Sequence, residues 1–221
     1  MAGTRGAGLA VLLLLSFFDI KSTHADSIIS LASVGTAVDS GQTNVNGATI
    51  AIAPNVAWAS ALPGSSWVSF SSTGDTSAAG FVAVPNGTVV TFFDVFNIPG
   101  IATGGSLTVM ADDSATILLN GVILTTEATS TGNTYSTCSD FGIGCILPMA
   151  INLPASLFQA GLNTLEFEVA QRNGSSFGLD YSASVIDPVE ISEPGAGLML
   201  GFGFGLLILS VAVYRHKQSR I

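Results

Sequence analysis

Ala115-Thr116-Ile117-Leu118-Leu119-Asn120-Gly121-Val122-Ile123-Leu124-Thr125-Thr126 is the stretch that decides the fold class. Two apolar runs flank Asn120-Gly121. That dipeptide is the strongest short-range hairpin signal, because a type I′ turn needs positive φ at both central positions and Asn and Gly tolerate it. The stretch predicts antiparallel strands over Ala115–Leu119 and Val122–Thr126. The same period of two recurs on either side. Gly105–Ala111 reads as a strand. Asn163, Leu165, Phe167 and Val169 point one way, and Thr164, Glu166 and Glu168 the other. Phe177, Leu179, Tyr181, Ala183 and Val185 alternate with Gly178, Asp180, Ser182 and Ser184. Such alternation marks strands with one buried and one wet face. Asn86-Gly87, after Pro85, predicts a second hairpin between Phe81–Val84 and Thr88–Phe96. Pro154–Gly161 has room for a short piece of helix that Gly161 would end. No long helical periodicity appears in the body of the chain. The expected fold is all-β, a β-sandwich or jelly roll.

The chain has 221 residues, room for one ordinary domain or two small ones. Charged residues are 10%, against about 25% in an average globular protein. Lys and Arg total 6 against 15 Asp and Glu, a formal charge of −9. Nucleic acid is a poor partner for such a chain, since phosphate neutralisation needs clustered cations. Disorder is also excluded, because 48% of the residues are hydrophobic.

Both ends read as addresses. Residues 1–25 have the layout of a secretory signal peptide: Arg5, the apolar Leu9–Phe18, then Thr23-His24-Ala25 before a cleavage point between Ala25 and Asp26. The apolar run is too short to span a bilayer. Residues 195–214 are uncharged and long enough to cross the hydrocarbon core as a helix. Arg215, Lys217 and Arg220 follow in the tail 215–221, which predicts a cytoplasmic end. Residues 26–186 are then an extracytoplasmic domain, with 187–194 as linker. Ser192-Glu193-Pro194, the apolar helix and the basic tail resemble the PEP-CTERM sorting signal of Gram-negative bacteria, with Ser192 in place of the first Pro. The resemblance implies recognition by an exosortase and association with exopolysaccharide and the cell surface, either anchored or after processing.

Residues 26–194 hold 14 acidic residues and one cation, Arg172, for a formal charge of −13. Both histidines lie outside this stretch, at His24 and His216. Ser-His-Asp and Cys-His catalysis are therefore excluded there, as is zinc held by the usual His and Cys set. Cys138 and Cys145 are expected to form a structural disulfide in an exported chain.

A second resemblance lies in the body of the chain. Val109-Met110-Ala111-Asp112-Asp113-Ser114-Ala115 leading into Leu118-Leu119-Asn120-Gly121 resembles the strand–turn–strand of galactose-binding-like jelly rolls. Ala160-Gly161-Leu162-Asn163-Thr164-Leu165 resembles another strand of those domains, and Gly178-Leu179-Asp180-Tyr181 their closing strand. The resemblance implies a jelly roll often used for glycan binding.

Candidate chemistry divides into few groups. Asp112-Asp113 has two readings: a calcium site of hard oxygen ligands, or a tight turn in which Asp accepts backbone hydrogen bonds. The lack of an Asp-x-Asp-x-Asp loop favours the turn. Glu166 and Glu168 could hydrolyse glycosides as a carboxylate pair, but i, i+2 acids also suit a solvated strand face. Trp58, Trp67 and Tyr135 are candidate sugar-stacking residues, with core packing the competing reading for the tryptophans. Asn86-Gly87-Thr88 and Asn173-Gly174-Ser175 match the N-glycosylation pattern and serve equally as turns. The functional expectation is a non-catalytic polysaccharide-binding module. The alternatives are a structural or adhesive surface protein, and a secreted carboxylate-dependent glycoside hydrolase.

Overall fold

The computed structural model describes residues 24–35, 42–45, 47–127, 138, 142–172 and 174–190. Among them the chain forms eleven strands. They are β1 (His24–Ala32), β2 (Gln42–Thr43), β3 (Ile50–Ala51), β4 (Val68–Ser69), β5 (Val89–Ile98) and β6 (Gly104–Asp112). These are followed by β7 (Ser114–Leu119), β8 (Val122–Thr125), β9 (Met149–Leu153), β10 (Gly161–Ala170) and β11 (Gly178–Glu190).

Two antiparallel sheets result. One runs β3-β4-β11-β6-β9, with β1 also pairing β11; the other runs β2-β5-β10-β7-β8. Their inner faces meet in one core. Val90, Phe92, Ile98, Leu165, Phe167 and Val169 come from the second sheet, and Leu107, Val109, Leu179 and Val185 from the first. This is a β-sandwich, and residues 24–189 make up one compact unit.

The Asn-Gly signal is borne out. Asn120 (φ 51°) and Gly121 (φ 77°) turn the chain between β7 and β8, with Leu119 opposite Val122. The alternation in β10 holds as well: Asn163, Leu165, Phe167 and Val169 are buried, and Glu166 and Glu168 face outward.

Other expectations need correction. Asn86-Gly87 does turn the chain, with Gly87 at φ 83°, but no strand precedes it. Val82 and Val84 donate instead to the carbonyls of Ser72 and Ser175, so this arm is tied to loops rather than to β5. The helix expected over 154–161 is a single 3-10 turn at Ala155–Leu157, and Gly161 begins β10. The linker expected over 187–194 starts later. β11 continues to Glu190 and Asp187 is buried, because the strand is still covered there.

The supposed wet face of β11 is dry at one end. Asp180 is 0% exposed. It accepts from the backbone N–H of Leu62 (2.8 Å) and from the hydroxyls of Ser65 (2.5 Å) and Ser33 (3.0 Å). Ser33 directly follows β1, and Leu62 and Ser65 belong to a long excursion between β3 and β4 that folds over the outer face of the first sheet. A local alternation pattern cannot anticipate such a cover.

β1 begins at His24, so the expected cleavage point between Ala25 and Asp26 falls at the start of this strand. The rest of the expected signal peptide, Ser192-Glu193-Pro194, the apolar segment 195–214 and the charges Arg215, Lys217 and Arg220 lie outside the described residues. Among the described residues no helix is long and apolar enough to cross a membrane.

Candidate functional site

Asp112 ends β6 in one sheet, and Ser114 opens β7 in the other. The chain changes sheets at Asp113, so Asp112-Asp113 is a crossover rather than a hairpin turn. The peptide bond between the two is cis. Asp113 is stitched to the end of β10: its N–H donates to Ala170 O (3.2 Å), and its Oδ2 accepts from the Arg172 N–H (2.5 Å). Asp112 also meets the loop that covers the first sheet, through Trp58.

The outer face of the first sheet is covered by a second, smaller apolar cluster of Trp58, Trp67, Met110, Cys138 and Cys145. Trp58 and Trp67 pack with ring centroids 4.4 Å apart. Trp58 fits because Gly178, opposite Asp112 in the sheet, has no side chain: a Cβ there would stand 3.0 Å from the indole Cη2. Cys138 and Cys145 form the expected disulfide, with Cα atoms 5.4 Å apart. The backbone around it is bound in, since Cys145 O accepts from Ala59 N–H (2.8 Å) and Gly144 O from Ala111 N–H (3.1 Å).

Beside this cluster lies a cavity of about 160 Å³. Asn55, Trp58, Asp112, Asp113, Ser175 and Ser176 line it, together with Cys138 and Gly174. It is smaller than the roughly 300–1,000 Å³ of clefts that swallow a drug-sized ligand. Asn55 holds the rim together. Its Nδ2 donates to Ser176 Oγ (2.8 Å), its Oδ1 accepts from Ala57 N–H (2.9 Å), and its carbonyl accepts from Trp58 N–H (3.0 Å).

The electrostatics centre on Asp112. Trp58 Nε1 donates to its Oδ2 at 2.6 Å. Its carboxyl is also hydrogen-bonded to Asp113. Burial, the proton shared with Asp113 and the charge of Asp113 push the Asp112 pKa up to about 9, and the Trp58 N–H opposes this only in part. Removing water from a carboxylate beside another carboxylate disfavours ionisation of both together.

The structure separates the candidate residues. Trp58, Asp112 and Asp113 meet at the cavity. Trp67 does not: it is 1% exposed, and its Nε1 donates to Ala59 O (3.0 Å), so it has no face to offer a sugar. Tyr135 lies outside the described residues, as does Asn173. Glu166 and Glu168 sit on the outer face of β10, opposite Phe93 and Thr91 of β5. Glu127 pairs with Arg172 (2.6 Å) rather than with another acid. Asp112 and the two cysteine sulfurs lie within 4.8 Å of one another, but the sulfurs are bonded together and supply no thiolate for a metal.

Sequence reasoning missed Asn55, Ser176 and Gln171. Polar residues in loops carry no periodic signal. It also missed the buried Asp94, which faces the core from β5 and accepts from Tyr181 Oη (3.0 Å). Burial raises the Asp94 pKa, with the Tyr181 hydroxyl and the Val95 N–H opposing.

No protein-family model matches the sequence, and no curated protein matches it. Among solved structures, the native family 35 carbohydrate-binding module from Clostridium thermocellum is similar over 72% of this chain and 97% of its own, at 16% identity and a TM-score of 0.36. The Bifidobacterium dentium β-glucuronidase, complexed with coumarin-3-O-glucuronide, is similar over 76% of this chain and 31% of its own, at 15% identity and a TM-score of 0.40.

Proposed function

We propose that the protein is an exported, surface-associated and non-catalytic polysaccharide-binding module, a jelly roll of the galactose-binding-like kind. The observation that carries this reading is the cavity itself. Polar groups that suit sugar hydroxyls (Asn55, Ser175, Ser176, Asp112 and Asp113) converge beside the edge of an indole, on a rigid sheet. The export half of the proposal rests on the signal-like residues 1–25 and the PEP-CTERM-like segment at Ser192-Glu193-Pro194, which an exosortase would recognise. The mass of the mature protein at the cell surface tests it: a C-terminus near 194 supports processing, and Ile221 a permanent anchor.

Hydrolysis is less well supported. Two carboxylates that flank a glycosidic bond stand at least about 5 Å apart. Asp112 and Asp113 instead hydrogen-bond to each other, and Glu166 and Glu168 lie on the far sheet. The adhesive alternative has one observation in its favour: Val95 and Leu162 are exposed on the outer face of the second sheet.

A glycan array probed with the full-length chain, with and without EDTA, tests the binding role. Retention of a defined set of glycans supports it, and silence in both conditions removes it. Loss of binding in EDTA, restored by added calcium in the parent chain but not in Asp113→Asn, would support calcium at Asp112 and Asp113.

A further inference from the structure

We propose that Cys138–Cys145 is an exchangeable disulfide: a dithiol entering the cavity attacks Cys138, and Asp112 supplies the proton that Cys145 takes as it leaves. This is thiol chemistry, and it does not rest on the polysaccharide-binding reading.

Access comes first. Cys138 lines the cavity, whereas Cys145 is 0% exposed and sits among Trp58, Trp67 and Met110. A thiol that enters from water therefore meets Cys138, and Cys145 is the leaving sulfur. The bridge spans 7 positions. So short a closure restrains the unfolded chain less than a long one, and less is lost when it opens.

The acid is the second observation. A carboxyl oxygen of Asp112 and both sulfurs lie within 4.8 Å of one another. That is within reach of a direct proton transfer or one through a single water. A thiolate left at Cys145, in apolar surroundings, would carry a high desolvation cost, and a proton delivered from Asp112 removes it. Asp112 has the proton to give, since burial and its contact with Asp113 push its pKa up to about 9. The Trp58 N–H, 2.6 Å from Asp112 Oδ2, then steadies the carboxylate left behind. Against Asp112 stand Trp58 from the covering loop, Asp113 from the crossover and Gly178 from β11, and of these Asp113 alone titrates.

The balance is that of thiol–disulfide exchange. The dithiol's thiolate bonds to Cys138 Sγ as the bond between Cys138 and Cys145 breaks, and the Cys145 sulfur takes the Asp112 proton. The second thiol of the dithiol attacks its partner sulfur in the mixed disulfide, and Cys138 leaves with that second thiol's proton. The dithiol is oxidised to its disulfide and the protein is reduced to two thiols. Asp112 regains from water the proton that the dithiol released on ionising.

Dithiothreitol is the probe. The full-length folded chain is reduced at about pH 7, and free thiols are counted by alkylation and mass while indole emission reports that the fold persists. Reduction is expected in the folded state, at a rate unchanged by urea below the unfolding transition. Asp112→Asn should slow it about hundredfold, the low end of what a positioned acid contributes. If Asp112 only held the covering loop in place, the same change would loosen the loop and speed reduction. In the unaltered chain the rate constant per dithiothreitol thiolate should hold up to about pH 9 and fall above it, as Asp112 gives up its proton. That profile needs no variant, so it decides the question even where Asp112→Asn does not fold. Reduction that only follows global unfolding, an Asp112→Asn rate equal to or above the parent's, or a profile without the fall overturns the proposal and leaves the bridge a structural staple.

Discussion

Trp58 Nε1 donates to Asp112 Oδ2 at 2.6 Å, and this bond joins the loop that covers the first sheet to the last residue of β6. It gives a partner to a carboxyl that burial would otherwise leave exposed to a desolvation cost.

The first prediction concerns pH. The folded Asp112 holds its proton up to about pH 9, against an ordinary value of 3.8. Folding therefore retains a proton that the unfolded chain releases above about pH 4. The stability this group contributes is complete below that pH and is lost as pH rises through its folded value, by at most about 1.4 kcal/mol per unit. Asp112→Asn keeps the neutral shape and removes the titration. Urea unfolding at pH 4, 6 and 8 should show the variant gaining on the parent as pH rises; parallel curves would contradict this.

Gly178→Val is expected to separate binding from folding. The added atoms meet the Trp58 ring at 3.0 Å and Ile52 Cδ1 at 3.2 Å. Overpacking of this kind costs about 1–3 kcal/mol. The displaced indole sits at the cavity, so glycan affinity should fall by more than the same loss of stability causes elsewhere. The check is affinity and urea midpoint measured on one preparation.

Asn163 is the polar staple of the second sheet. Its Nδ2 donates to Gln159 O (2.7 Å) and Gly161 O (2.9 Å), and its Oδ1 accepts from Gln159 N–H (2.9 Å) and Asn120 Nδ2 (2.8 Å). Asn163→Ala removes four hydrogen bonds between a fully buried amide and half-buried or exposed partners, and should cost about 2 kcal/mol. Thermal unfolding reads this directly, and a loss under about 1 kcal/mol would show that the staple is dispensable.

Breaking the disulfide with Cys138→Ser and Cys145→Ser should cost about 2–3 kcal/mol, the loop entropy expected for so short a closure. Cys138 lines the cavity, so the double variant should also bind glycan more weakly. Unchanged affinity would separate the bridge from the site.

Much of the sandwich is legible because its signals are local. Asn120-Gly121 dictates a turn from two residues, and the alternation from Asn163 to Val169 needs only its own strand. Those two motifs turn out to be joined, through the Asn120–Asn163 hydrogen bond across 43 residues, which neither shows alone. The site is less legible because it is assembled over distance. Asp112 reads as a turn residue until Trp58, more than fifty residues earlier, is seen to cover it. Asp180 reads as a wet-face residue until Leu62 and Ser65 fold over it. Val82 and Val84 resemble a strand, but their N–H groups are claimed by Ser72 and Ser175.

The most direct test of the central claim uses the two tryptophans as reporters. The full-length chain is titrated with the best-binding glycan of the array while indole emission is followed. A glycan seated beside Asp112 should shift the emission saturably, and the response should vanish in Trp58→Phe and survive in Trp67→Phe. Binding without any change in emission, or a response that persists in Trp58→Phe, would place the glycan elsewhere and contradict the account.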